Sequence, residues 1–245
     1  MSRQLLIAAN WKMNLLQADA AVWCRMLRSD LPAGLASRLM VFPSFPLLPV
    51  VARELAGSVV AVGGQDLHPE DKGAHTGDVS GIQLADAGCT WVLCGHSERR
   101  RDHGETDGLV ARKATAALRQ GLTPLVCVGE TREERQAGAA FAVLERQLRA
   151  ALAVLTAGFA IAYEPVWAIG TGETATPETA QEAHSFLRGI LGQTPGGAGV
   201  SILYGGSVTP ENAAALRAQP DIDGFLVGGA SLDPQKFLGI IRASG

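Results

Sequence analysis

Eight short apolar runs recur along the chain, and each is followed by a stretch that reads as a helix. The runs are Leu5–Asn10, Leu39–Phe42, Val59–Gly63, Trp91–Cys94, Thr123–Val128, Phe159–Tyr163, Val200–Tyr204 and Gly224–Val227. They are apolar without alternation, the pattern of parallel strands covered on both faces. Between them, Phe141, Leu144, Leu148, Leu152 and Leu155 form one stripe at the helical period, and Ala180, Ala183, Leu187, Ile190 and Leu191 form another. Thr176-Pro177-Glu178, Thr209-Pro210-Glu211 and Asp233-Pro234 each place a capping side chain before a proline at an expected first helical position. Eight β-α units without a linker or composition break predict the α/β class. The expected architecture is a single (β/α)8 barrel of eight parallel strands over residues 1–245. Strand count alone leaves an open sheet standing beside it.

Composition narrows the partners. The chain has 245 residues, 47% apolar and 18% charged, enough for a large buried core. Its 21 basic and 24 acidic residues give a net charge of -3 with no basic tract, so neither nucleic acid nor an anionic membrane surface is expected as a partner. No apolar stretch reaches transmembrane length and no signal-peptide pattern opens the chain, so a cytoplasmic location is expected. Cys24, Cys89, Cys94 and Cys127 form no C-x-x-C pair and read as free thiols in a reducing compartment.

In an α/β barrel the strands open their C-terminal ends on one face, where the pocket lies. Asn10-Trp11-Lys12 follows the first strand and Gly95-His96-Ser97-Glu98-Arg99-Arg100 the fourth. After the sixth comes Glu164, then Pro165, which stops the strand. The following Val166, Trp167, Ala168, Ile169, Gly170, Thr171 and Gly172 read as a lid with an apolar lining and glycine freedom. A carboxylate beside a water-excluding lid suits proton abstraction, because desolvation raises its basicity. Gly205-Gly206-Ser207 and Gly228-Gly229 follow the last two strands, where backbone N–H groups approach an oxyanion closely. Lys12 is placed to neutralise phosphate or polarise a carbonyl, or alternatively to form a Schiff base. His96 opens a short polar turn, and a helix start there keeps its ring neutral. His68, His75, His103 and His184 show no metal-ligand spacing, and no metal is expected. These residues reach as far as proton transfer next to a carbonyl on a small phosphorylated substrate. A Schiff-base aldolase using Lys12 and a non-catalytic binding barrel stand beside that reading.

Gly64–Ser80 is long for an ordinary connection and has no helical period. A docking arm and a plain surface excursion both fit it.

Taken together, Asn10-Trp11-Lys12, Gly95 to Arg100, Tyr163 to Gly172, Tyr204-Gly205-Gly206-Ser207 and Leu226-Val227-Gly228-Gly229 resemble the triosephosphate isomerase family, in order and over the whole chain. The resemblance implies a cofactor-free isomerase that interconverts dihydroxyacetone phosphate and glyceraldehyde 3-phosphate through an enediolate, in glycolysis and gluconeogenesis. It implies Glu164 as the base, His96 as a neutral electrophile, and Lys12 and Asn10 at the developing oxyanion and the substrate. Gly170, Ser207, Gly228 and Gly229 would hold the phosphate. Ile169 and Leu226 would press on the base when the lid shuts, and Tyr204 and Ser207 would latch it. Ser97, Glu98 and Arg99 would support the reacting groups. The Gly64–Ser80 loop would be the arm of a homodimer, with His75 and Thr76 at its tip and Thr76 reaching the neighbouring pocket. Two residues depart from the commoner pattern: His75 stands where Phe is expected, and Asp66 where Asn is common.

Overall fold

The computed structural model of the chain describes residues 3–32, 34–169 and 175–245. Its strands are β1 (Leu6–Asn10), β2 (Arg38–Phe42), β3 (Val60–Gly64), β4 (Trp91–Cys94), β5 (Thr123–Val128), β6 (Ala160–Tyr163), β7 (Ile202–Tyr204) and β8 (Gly224–Val227). The helices that separate and flank them are α1 (Gln17–Asp30), α2 (Leu48–Leu55), α3 (Gly81–Asp86), α4 (Ser97–His103), α5 (Asp107–Arg119), α6 (Arg132–Gln136), α7 (Ala140–Leu152), α8 (Pro177–Leu191), α9 (Ala213–Arg217) and α10 (Pro234–Ser244). All eight strands pair in parallel, and β1 also pairs with β8, Leu6 opposite Gly224 and Ala9 opposite Val227. The sheet is therefore a closed barrel and not an open one.

The strands lack alternation because both of their faces are dry. One set of side chains, including Leu6, Met40, Phe42, Leu93, Leu125, Leu203 and Leu226, fills the inside of the barrel. The other set, including Ile7, Leu39, Val92, Val126, Ile161 and Ile202, meets the helices outside. Closure has one tight point. A Cβ on Gly224 would lie 1.8 Å from the Leu6 carbonyl oxygen, at φ +147, so only glycine lets β8 reach β1.

Each strand lies within two residues of its expected ends. Two of the three expected helix starts hold. Thr176 caps α8 and Asp233 caps α10, both ahead of proline. The third does not: residues 210–212 form a turn, and α9 begins only at Ala213. The Asn212 side chain is the reason. Its Oδ1 accepts the Thr209 N–H at 2.8 Å and its amide donates to Ser207 O at 3.1 Å, satisfying the loop before a helix forms. The loop from Gln65 to Val79 contains no helix, and its ends are held together by the His68 N–H on Val79 O at 2.8 Å.

One buried histidine braces the strand ends next to the mouth. His184 on α8 is fully out of water, edge-on to Tyr163 at 5.7 Å and tilted against Tyr204 at 6.3 Å. Its Nδ1 lies 3.1 Å from the Asp221 carbonyl, so a neutral ring donates there. Burial pushes its pKa down to about 4, against an ordinary value of 6.5. Between those values the unfolded chain binds the proton and the fold does not, so stability falls as pH drops through that window. At pH 5 the loss is about 2 kcal/mol. Urea unfolding at pH 7 and pH 5 should show it, and His184→Gln should flatten the dependence.

Candidate active site

The C-terminal ends of the strands surround a cavity of about 640 Å³. Asn10, Lys12, His96, Glu164, Ile169, Ser207, Leu226, Gly228 and Gly229 all line it, so the residues expected from five different strand ends meet at one mouth. Gly170, Thr171 and Gly172 lie outside the described residues.

Lys12 is held in an unusual backbone conformation, φ +52, which costs a residue with a Cβ about 1 kcal/mol or more. Side chains fix it there. Asn10 Oδ1 accepts the Lys12 N–H at 3.0 Å, and the Gln65 amide donates to the carbonyls of Lys12 at 2.8 Å and Phe42 at 2.9 Å. The Lys12 ammonium is then steadied by Glu98 Oε1 at 2.6 Å. This is the setting of a fixed cation rather than of an amine nucleophile.

His96 caps α4. Its Nδ1 accepts the Glu98 N–H at 3.2 Å, and its Nε2 lies 2.8 Å from Glu164 Oε1. The Ser97 N–H donates to Glu164 Oε2 at 2.8 Å. Glu164 is only 2% exposed. Its backbone is placed by a close approach: a Cβ on Gly129 would lie 1.8 Å from the Glu164 carbonyl oxygen.

Three influences compete on the base. Burial pushes the Glu164 carboxyl up, but the His96 ring and the Ser97 N–H outweigh it and hold it below the usual range. On His96 burial works against the charged ring, while Glu164 and then Glu98 pull the other way and set it above the usual histidine value. Geometry limits what that pull achieves. The Nδ1 lone pair is engaged by a backbone N–H at a helix start, so a second ring proton would have to displace that bond. The one ring proton therefore sits on Nε2, aimed at Glu164.

Glycine-rich turns face this pair across the mouth, Gly205-Gly206-Ser207 after β7 and Gly228-Gly229 after β8. Tyr204 does not line the cavity. Its ring is buried behind Gly206, where a Cβ would lie 2.2 Å from the phenol oxygen. Cys127 is a packed thiol, pushed well above its ordinary pKa by burial. His75 and Thr76 are exposed in the arm and do not line this cavity. The fold does bring His68, His75 and Asp78 within 4.8 Å of one another, which sequence spacing did not reveal. The two rings stack at 3.8 Å, so their in-plane lone pairs run alongside each other instead of converging on one ion.

Lys236 joins the mouth, and Glu130 lies behind it. Lys236, in the first turn of α10, lines the cavity with the glycine-rich turns. Glu130 is fully buried below the lid and accepts from Tyr163 OH at 3.1 Å, Trp167 Nε1 at 2.8 Å and Arg135 Nη1 at 3.0 Å, while its carbonyl accepts the Val166 N–H at 3.2 Å. It holds the 166–168 turn that follows Glu164 and Pro165. Glu130 stands two residues past β5, where the strand-end rule that found the others would also have found it.

A closed parallel barrel that gathers a base, an imidazole and a cation at its mouth is an α/β-barrel enzyme. The family model for triosephosphate isomerase matches residues 5–244, and the chain belongs to that family. It is 51% identical to the triosephosphate isomerase of Xanthobacter flavus, over 99% of this chain and 98% of that one. It is 48% identical to that of Thermus thermophilus, over 99% and 100%, and 50% identical to that of Moorella thermoacetica, over 98% and 98%. The isomerase reading is thereby favoured over the aldolase and the binding barrel.

Nitrogen NMR of the His96 ring at pH 7 should give one protonated and one bare nitrogen, with Nδ1 bare. Two protonated nitrogens would mean that the Glu164 carboxylate overrides the backbone bond.

Proposed function

We infer that this chain interconverts dihydroxyacetone phosphate and glyceraldehyde 3-phosphate, and so serves glycolysis and gluconeogenesis. The observation that carries the reading is a buried carboxylate and an imidazole in contact, facing two glycine-rich turns across one small cavity. The substrate's phosphate rests on the backbone N–H groups of Ser207, Gly228 and Gly229, with Gly170 completing the set. Lys12 and Asn10 sit at the carbonyl end. Glu164 removes a proton from one carbon and returns it to the neighbouring one. His96 Nε2–H serves the two substrate oxygens in turn, and Lys12 steadies the enediolate charge. The exchange is redox-neutral overall and draws on no electron carrier.

Glu164 does this by leaving its present bonds. Those bonds are what hold it below the usual range. Freed of Ser97 and His96 but still buried, it becomes the stronger base that abstraction from carbon requires. Ile169 and Leu226 keep water from it, and Tyr204 and Ser207 latch the lid formed by Pro165 to Gly172.

The same reading makes the protein a cytoplasmic homodimer that docks through the Gly64–Ser80 arm. Among the described residues no helix is long and apolar enough to cross a membrane. Met13, 93% exposed and beside Gln65 at the arm's root, and Leu16, 75% exposed, are apolar surface that a second copy would cover. Thr76 then reaches the partner's mouth.

Glu164→Gln should lower kcat by about 10²–10⁴ or more in a coupled isomerisation assay, with binding of a phosphorylated inhibitor retained. More than a tenth of the activity surviving would remove Glu164 as the base. Replacing Asp71–Thr76 with a short Gly-Ser turn should give a folded monomer of much reduced kcat; sedimentation and activity on one sample decide it. A dimer, or a fully active monomer, would show that the loop is no coupling arm.

A further inference from the structure

Two neighbouring residues at the root of the arm grip opposite sides of the mouth. Gln65 holds the Lys12 backbone, as described. Asp66 points the other way and joins a buried ion network. Its carboxylate meets Lys113 Nζ at 2.5 Å and Arg99 Nη2 at 2.9 Å, and the same two cations meet Glu105 at 2.5 Å and 2.8 Å. Asp66, Glu105 and Lys113 are buried and Arg99 half-buried. Two positive and two negative charges therefore balance out of water. With Asn in its place, the two cations would share one carboxylate.

Arg99 is what gives the network reach. It is the third residue of α4, whose cap is His96 and whose first N–H holds Glu164. One short helix thus carries His96 as its cap, holds Glu164 on its first N–H, and meets the arm's root through its third residue. A small tilt of that helix moves Nε2 of His96 and the Ser97 N–H together, and misplacement by about 1 Å at a reacting group costs on the order of 10²-fold in rate.

We propose that Asp66 is a positioning residue: through Arg99 it fixes α4 against the arm, and passes the seating of the arm to the His96–Glu164 pair. This rests on the isomerase and docking-arm reading above. The ordinary alternative is that Asp66 only balances the buried charge of Lys113. Buried ion pairs add little net stability, yet removing one partner is costly because the other is left uncompensated. A pair of variants therefore separates the two roles. Asp66→Asn removes the charge and the link. Asp66→Asn with Lys113→Met restores the charge balance without restoring the link.

The experiment compares the wild-type chain with both variants for kcat and KM, inhibition by inorganic phosphate, melting temperature and sedimentation. Asp66→Asn should lower the melting temperature and reduce kcat by roughly tenfold, with inhibition by phosphate unchanged because the glycine turns lie across the mouth. The double variant should recover the melting temperature and stay slow. Wild-type kcat in Asp66→Asn overturns the proposal. So does a double variant in which kcat returns together with the melting temperature, since the carboxylate would then balance charge and position nothing. If the single variant does not fold, the double variant is read by the same criteria, and failure of both to fold overturns the proposal by making Asp66 a stability residue. A wild-type chain without isomerase activity would instead sink the reading on which the proposal stands.

Discussion

Contacts from four directions meet on the first turn of α4. His96 turns its Nδ1 to the Glu98 N–H, Ser97 donates its N–H to Glu164, Glu98 holds the Lys12 ammonium, and Arg99 reaches back to Asp66 and Glu105. Just beyond, Arg100 donates to the carbonyls of Gly95 and Cys127 and pairs with Asp107. A helix of seven residues has little stability of its own, since forming its first turn is unfavourable and few bonds follow. This one is held by charge pairs to β3's following loop and α5, and by a hydrogen bond to the end of β5. The site is therefore no more precise than those side-chain bonds allow.

The barrel makes the convergence possible. Parallel strands with helices on the outside deliver every C-terminal end to the same side, so residues far apart in sequence arrive within hydrogen-bond distance. Ser97 and Glu164 are 67 residues apart, and Lys12 and Glu98 are 86 apart. Loop positions carry the chemistry while the strands carry the stability. The close approaches at Gly224 and Gly129 belong to the same arrangement. The first closes the barrel, and the second sets the height of the base.

The fold was legible because the strand signal is local and strong: eight non-alternating apolar runs admit few other packings. The strand-end residues Asn10, Lys12, His96 and Glu164 were legible for the same reason, once a common face was assumed. What local pattern does not carry was missed. The network of Asp66, Arg99, Glu105 and Lys113 forms only after folding, and nothing in its spacing marks it. The His68–His75 stack likewise needs the loop to turn back on itself. Thr209-Pro210 failed as a helix start because a neighbouring asparagine satisfied the same backbone groups first. Glu130 is a different case, since it stands just past the end of β5 and shares the strand-end signal that marks Glu164.

Glu164 and the turn that follows it are one continuous piece of chain, and on the proposed reading this links water exclusion to basicity. Glu164 is followed directly by Pro165 and the 166–168 turn, which Glu130 holds through Trp167 and the Val166 N–H. Arg135 stacks over the Trp167 ring at 4.8 Å while pairing with the same Glu130 carboxylate. Rotation of that turn acts at once on the residue before it. A carboxylate parked on Ser97 and His96 is stabilised as an anion and is a poor base. The same carboxylate drawn off those donors, with apolar Ile169 and Leu226 beside it, loses that stabilisation and gains no water in exchange. On the proposed isomerase reading, closing the lid and sharpening the base are two consequences of a single backbone movement, which is why an acid at the strand tip and an apolar loop belong next to each other in this sequence.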